Sequence, residues 1–276
     1  MIGQVNLQSR IEQLIKNHTF PRFSILVGLK GSGKKTFANW IRQIMGLDNL
    51  VISYVVTDVK IDTIRDVISQ AYKTVIPTIY IIPDADNMSN AAKNALLKVT
   101  EEPPNEAYFI MTLEDENNTL ETIRSRATIF HMDRYTPDEI EEYFKKRFGV
   151  LEDREISIVR DLCETPGDVE IIMSYDATNF YDYVQLVVDN IAEVSLANAF
   201  KIPSKVALKD DAEGYDLRLF WKAFMNILAN TDRPHDFRDF GAIPITSKYL
   251  QKLRIKGINR QMLIDCWLME IRELWM

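Results

Sequence analysis

The stretch that most constrains the fold runs from residue 79 to residue 104, Ile-Tyr-Ile-Ile-Pro-Asp-Ala-Asp-Asn-Met-Ser-Asn-Ala-Ala-Lys-Asn-Ala-Leu-Leu-Lys-Val-Thr-Glu-Glu-Pro-Pro. Its first four residues are uniformly apolar, the pattern of a strand covered on both faces. They run into an acidic tip at Asp84 and Asp86. Ser89 then offers an N-cap oxygen. Ala92, Ala95, Leu96 and Val99 share one helical face, and Pro103-Pro104 stops the helix. A buried strand passing directly into an amphipathic helix belongs in a parallel sheet covered by helices.

The rest of the first half repeats that alternation. Strands are expected over Phe23–Val27, Val51–Thr57, Thr78–Ile82, Ala107–Leu113 and Ile129–Met132. Helices are expected over 7–16, Lys34–Met45, Ile61–Tyr72 and Thr119–Arg124, where apolar residues recur at helical spacing. After His131 the strand signals fade. Pro137–Phe148, Arg154–Glu164 and Gly167–Tyr175 read as three short helices, and Thr136 with Glu139 forms a capping-box pattern for the first. Segments 179–191, 215–229, 246–255 and 259–275 read as longer helices rich in Phe, Tyr, Trp and Leu. The expected architecture is an α/β phosphate-loop domain over 1–133, a small helical lid over 134–177 and an all-helical domain over 178–276.

Composition narrows the function classes. The 276 residues carry 33 basic and 40 acidic side chains, a net charge of −7. That balance argues against the whole surface coating nucleic acid, and leaves room for a local basic groove or for DNA held jointly with basic partners. The two cysteines, Cys163 and Cys266, are too few for a Cys₄ zinc module and fit a reduced, intracellular protein. His18, His131 and His235 are too scattered for a metal site or a Ser/His/Asp triad. No apolar run approaches the ~20 residues of a spanning helix, and the N-terminus lacks the pattern of an export signal. The expectation is a cytoplasmic protein with no membrane contact.

The chemistry-bearing segment is Gly28-Leu-Lys-Gly-Ser-Gly-Lys-Lys-Thr36, between a strand and a helix, the context a phosphate loop requires. Gly28, Gly31 and Gly33 let the backbone curl so that its N–H groups, with that of Ser32, face an anion. The helix N-terminus adds positive potential, and Lys34 has the reach for the outer phosphates. A working site also holds Mg²⁺ with a Ser or Thr after that lysine and with an Asp at the strand tip. Here those positions are Lys35 and Pro83. Thr36 comes one residue late, about a third of a turn round the helix. Asp84 stands where a Glu usually polarises water and is one methylene shorter. Asp84 and Asp86 therefore read as a cation site or, more simply, as a solvated acidic turn. Ser125-Arg126 lies between a short helix and a strand. It reads either as an ordinary surface pair or as an arginine placed to reach a neighbour's γ-phosphate. Phe220, Trp221, Phe224, Trp267 and Trp275 at helical spacing read as core or subunit contact.

On these residues the chain resembles the delta-prime subunits of bacterial replication clamp loaders, within the AAA+ superfamily. Asn94-Ala-Leu-Leu-Lys-Val-Thr-Glu-Glu-Pro-Pro104 is similar to the family signature, as are the N-terminal Ile-Gly-Gln, the Gly-Ser-Gly-Lys-Lys loop, Ser125-Arg126-Ala127 and Thr165-Pro-Gly167. The likeness covers the first 175 residues; beyond residue 180 it rests on helical character and length. The resemblance implies a five-subunit assembly with gamma/tau-like ATPase and delta subunits that opens a sliding clamp and places it on primer–template DNA. It implies that Arg126, next to Ser125, is an arginine finger acting in trans on the adjacent subunit's ATP site. It implies a helical collar in the last third. Departures are the missing four-Cys zinc module, Ala127 in place of Cys, Leu113 and Glu114 where ATPase relatives keep Thr or Asn, and no lid arginine at 165–168.

Two readings follow. One is a non-hydrolysing stator with a degenerate loop. The other is an active AAA+ ATPase, a loader motor or helicase loader, holding Mg²⁺ through Thr36 with Asp84 as water activator. A helical adaptor outside replication fits the Glu-Glu-Pro-Pro and Ser-Arg signatures least. No cofactor is required by the stator reading, and the residues leave open whether ATP, ADP or phosphate occupies the loop.

Overall fold

The computed structural model describes residues 2–46, 52–104, 106–149, 152–191, 206, 214–230, 237–253, 255 and 257–275. Residue 51 of the expected second strand, residue 254 of the expected 246–255 helix and His235 lie outside them. By internal contacts the chain divides into two compact units, Met1–Tyr135 with Thr165–Gly167, and Thr136–Glu164 with Asp168–Met276.

The first unit is a five-stranded parallel sheet of order β2-β3-β4-β1-β5, from β1 (Phe23–Val27), β2 (Ile52–Val55), β3 (Thr78–Ile82), β4 (Ala107–Leu113) and β5 (Thr128–His131). Helices α1 (Val5–Lys16), α2 (Lys34–Met45), α3 (Ile61–Ala71), α4 (Asn90–Glu101) and α5 (Glu121–Arg124) connect and cover it. Every residue of β1 and β3 is buried, which is why those strands are apolar without alternation. The side chains still sort by parity, because successive residues point to opposite faces. Phe23, Ile25 and Val27 pack with Ile64 and Val67 of α3 and Leu96 and Val99 of α4. Leu26, Ile79, Ile81 and Ile110 pack with Leu7 and Ile11 of α1 and Phe37 and Ile41 of α2. The sheet is thus the middle layer of three, as its sequence pattern requires.

Local signals place the helix ends. Ser89 Oγ accepts from the Ala92 N–H at the start of α4 at 3.2 Å. The Thr136–Glu139 capping box is present in both directions at α6 (Pro137–Phe148).

The second unit is helical among its described residues, apart from an isolated bridge between Val206 and Tyr215. It holds α6, α7 (Asp153–Leu162), α8 (Pro166–Ser174) from Asp168 onward, α9 (Ala177–Asn190), α10 (Leu217–Asn230), α11 (Phe237–Lys252) and α12 (Arg260–Trp275). Phe220, Trp221, Phe224 and Trp267 are fully buried, and the first three each meet the Trp267 ring edge-on or tilted at ring separations of 5.0–6.0 Å. The Trp267 indole N–H donates to Thr246 Oγ1 at 3.0 Å, and that hydroxyl donates to the Ala242 carbonyl. These aromatics are core. Helix α11 starts well before the expected 246, because the helix runs through Gly241 and Pro244, two residues that read as breakers. Gly241 lets α12 pack close: a Cβ there would lie 2.8 Å from Leu274 Cδ2 of α12, so that side chain would have to shift.

Candidate functional site

The phosphate loop joins the C-terminal end of β1 to the first turn of α2. Gly31 and Gly33 adopt φ of 78° and 86°, a region open to glycine without strain, so both are required by the curl of the loop. The buried Lys34 folds back over it and donates to the Gly28 and Leu29 carbonyls at 2.8 and 2.9 Å. Burial lowers the Lys34 pKa from the ordinary lysine value, against the opposing pull of Glu114, Asp86 and Asp84. Ser32 is buried; its carbonyl accepts from the Tyr135 hydroxyl at 2.9 Å and its Oγ faces Met132 Sδ. Thr36 is exposed.

The tip of the loop is covered by backbone. The Gly167 N–H donates to the Gly31 carbonyl at 2.9 Å. A Cβ on Gly167 would stand 2.5 Å from Gly31 Cα and 3.1 Å from its carbonyl oxygen, neither of which is a flexible side-chain end. Gly167→Ala is therefore expected to push the two segments apart at a cost of about 1–3 kcal/mol, the usual range for overpacking. A urea titration of the purified variant checks this, and an unchanged midpoint would show the turn moves freely.

Lys35 takes the position of the metal-binding hydroxyl, and its ammonium lies 2.6 Å from Asp84 Oδ2. The Asp84 backbone is left-handed (φ 50°), and its N–H donates to the hydroxyl of buried Thr112 at 3.0 Å. Thr112, on β4, is a polar site residue the sequence reading passed over in favour of Leu113 and Glu114. Its one signal is a hydroxyl at the end of an otherwise apolar strand. Pro83 brings no carboxylate. These residues do not fit a divalent cation. An ion about 4 Å from the Lys35 ammonium would be repelled by about 2 kcal/mol even at the dielectric of bulk water.

Asp86 does a different task. Its carboxylate accepts from the Glu114 N–H at 2.9 and 3.0 Å and from Asn118 Nδ2 at 2.8 Å, so it ties the end of β3 to the loop after β4. Charge-assisted bonds of this kind contribute about 1.5–3 kcal/mol when sheltered, and this group is partly exposed. Asp86→Ala is expected to cost about 1 kcal/mol and to raise amide exchange at Glu114 without altering the rest of the sheet, measurable by hydrogen–deuterium exchange.

Arg126 lies at the other end of the sheet. It precedes β5, whose Thr128 pairs with Ser24 of β1, whereas the loop starts after Val27. At about 3.3 Å per strand residue, at least about 13 Å of strand separates Arg126 from its own phosphate loop, more than an arginine side chain spans. Ser125 and Arg126 are both exposed. Arg126 Nη1 donates to the Thr122 carbonyl at 2.9 Å, and Nη2 lies 3.1 Å from Glu101 Oε1 at the C-terminal end of α4. Glu101, the first acid of Glu-Glu-Pro-Pro, is thus in direct contact with the candidate finger. The loop residues and the strand tip are brought together in one place; Ser125 and Arg126 are not part of it. Among the described residues no group of three His, Cys, Asp or Glu side chains is arranged to hold a metal, and no helix is long and apolar enough to cross a membrane.

Residues 41–136 match the family model described as "DNA polymerase III, delta subunit". The chain is 29% identical over 154 residues to the DNA polymerase III subunit gamma of Buchnera aphidicola subsp. Schizaphis graminum, covering 53% of this chain and 40% of that protein. It is 39% identical over 51 residues to the DNA polymerase III subunit delta' of Yersinia pestis, covering 18% of this chain and 15% of that one. The matched part is thus under two thirds of either relative's length. In fold, the chain is similar to a DNA polymerase III gamma subunit-related protein of Thermotoga maritima, with a TM-score of 0.51 at 16% identity over 96% of this chain and 99% of that one. The fold is an α/β phosphate-loop domain with a helical C-terminal part, and within it the chain is similar to clamp-loader subunits of DNA polymerase III, the family model matching residues 41–136.

Proposed function

We propose that this chain is a delta-prime-like, non-hydrolysing stator of a replication clamp loader, lending Arg126 to the ATP site of the adjoining subunit. The observation that carries the reading is the separation of Arg126 from its own loop by the length of β1, together with its exposure at the sheet end. An always-charged planar fork in that place has no use within its own site and suits a neighbour's phosphate. The Lys35–Asp84 contact supports the second half, since it stands where a hydrolysing subunit holds its metal. Ser125 then sets the turn that precedes the finger. The partners are a gamma/tau-like ATPase subunit and a delta subunit, acting on a sliding clamp and primer–template DNA in the cytoplasm. The helices over 134–177 act as lid and those over 178–276 as collar.

The test is reconstitution. This chain is mixed with the clamp-loader ATPase and delta subunits of its source, and DNA- and clamp-stimulated ATP turnover is measured for wild type, Arg126→Ala and Lys34→Ala. Loss with Arg126→Ala alone supports the stator. Equal losses would place turnover in this chain's own loop and favour an active AAA+ ATPase. Failure to form a complex would remove both roles.

A further inference from the structure

We propose that Lys35 and Asp84 form an internal ion pair in the place of the divalent cation, and that this pair makes the phosphate loop exclude Mg²⁺ and Mg-bound nucleotide. The two residues belong to the elements that hold the metal in a working site, the first turn of α2 and the tip of β3, and their charged atoms are 2.6 Å apart. Asp84 is directed there by its backbone: a left-handed residue whose N–H is held by the buried hydroxyl of Thr112. Asp86, the other carboxylate of the tip, is committed to the loop after β4. Pro83 removes the remaining acid. Both partners are more than half exposed, 59% and 55% of their side chains, so the pair is weak as a stabilising contact. Its effect comes from occupancy and charge. The ammonium meets the Asp84 carboxylate directly, and it repels a cation that would replace it.

The inference rests on the first compact unit alone and not on the role of Arg126, so its test uses the isolated full-length chain and fails or succeeds apart from reconstitution. Lys35→Thr removes the ammonium, restores a hydroxyl at the metal-ligand position and frees Asp84. Free Mn²⁺ is followed by its electron paramagnetic resonance signal, and melting temperature is measured with ADP in Mg²⁺ and with ADP in EDTA. The wild type should leave the Mn²⁺ signal as in buffer and melt at the same temperature in both ADP conditions. Lys35→Thr should bind Mn²⁺ at least about tenfold more tightly than wild type and gain an ADP-dependent rise in melting temperature that EDTA abolishes. Lys35→Gln, of similar length and without charge, repeats the metal measurement if Thr disturbs the start of α2. A wild type stabilised by ADP only in Mg²⁺ would overturn the proposal. So would folded neutral variants with no gain in Mn²⁺ affinity, because exclusion would then lie elsewhere.

Discussion

Replacing Arg126 by Ala is expected to slow ATP turnover at the adjoining site by on the order of 10³-fold, the scale of an arginine finger. Steady-state turnover of the whole assembly should fall less, since other sites in a ring keep their own fingers. Folding should be untouched. The guanidinium is exposed, and its contacts are the Thr122 carbonyl and an exposed pair with Glu101, which contributes about 0–1 kcal/mol. Arg126→Lys is the sharper control. It keeps the charge and loses the planar fork that meets phosphate oxygens in pairs, so most of the loss should persist. Single-turnover hydrolysis in a complex where only the adjoining site binds ATP measures the effect directly. Full activity of Arg126→Ala in an assembled complex would end the finger assignment.

Much of this fold is legible in the sequence, because parallel strands covered on both faces leave a strong signature. Phe23–Val27, Thr78–Ile82 and Ala107–Leu113 match the expected strands residue for residue. Capping chemistry fixes the starts of α4 and α6 for the same reason: a side-chain oxygen at the right offset has few other uses. Helix α11 was not legible from its start. Gly241 and Pro244 weaken a helix locally, and what overrides them is tertiary: the Leu274 side chain packs close against Gly241, and Ala242 and Thr246 are fully buried. The candidate site divides in the same way. The loop, the acidic tip and Ser125-Arg126 announce themselves as short motifs. The Lys35–Asp84 and Glu101–Arg126 pairs, the Thr112 hydroxyl and the cover of Gly167 over Gly31 depend on segments far apart in the chain, so no spacing rule finds them. In sequence Asp84 and Asp86 form one acidic tip, and the structure separates them: one faces a lysine, the other ties down a loop.

The largest stability effect is expected in the second unit, at Asp168. This carboxylate is 1% exposed, yet it lies in the first turn of α8, where the residue pattern alone suggests a solvated acid favoured by the helix dipole. Its Oδ1 accepts from Arg218 Nη2 of α10, and its Oδ2 accepts from the Glu164 N–H at 3.0 Å. Glu164 in turn lies 3.0 Å from Lys222, one turn further along α10. Asp168→Ala removes the buried carboxylate that Arg218 bonds, leaving it the longer 3.9 Å approach of Asp216, and leaves the Glu164 N–H without this acceptor. Breaking a buried pair from one side typically costs 3–5 kcal/mol. Arg218 keeps 29% of its side chain exposed, so water relieves part of the loss and the expected cost is near the lower end, about 3 kcal/mol. For a unit of this size that is a fall of roughly 10 °C in melting temperature. Asp168→Asn should lose less, because the amide oxygen can still accept one of the two bonds. Replacing both partners, Asp168→Ala with Arg218→Met, should recover much of the loss, since two missing charges strand nothing. Thermal melts of the three variants decide the matter. If the double variant is no more stable than Asp168→Ala, the cost lies in the Glu164 contact and the helix start, and the ion pair is not what holds α8 to α10.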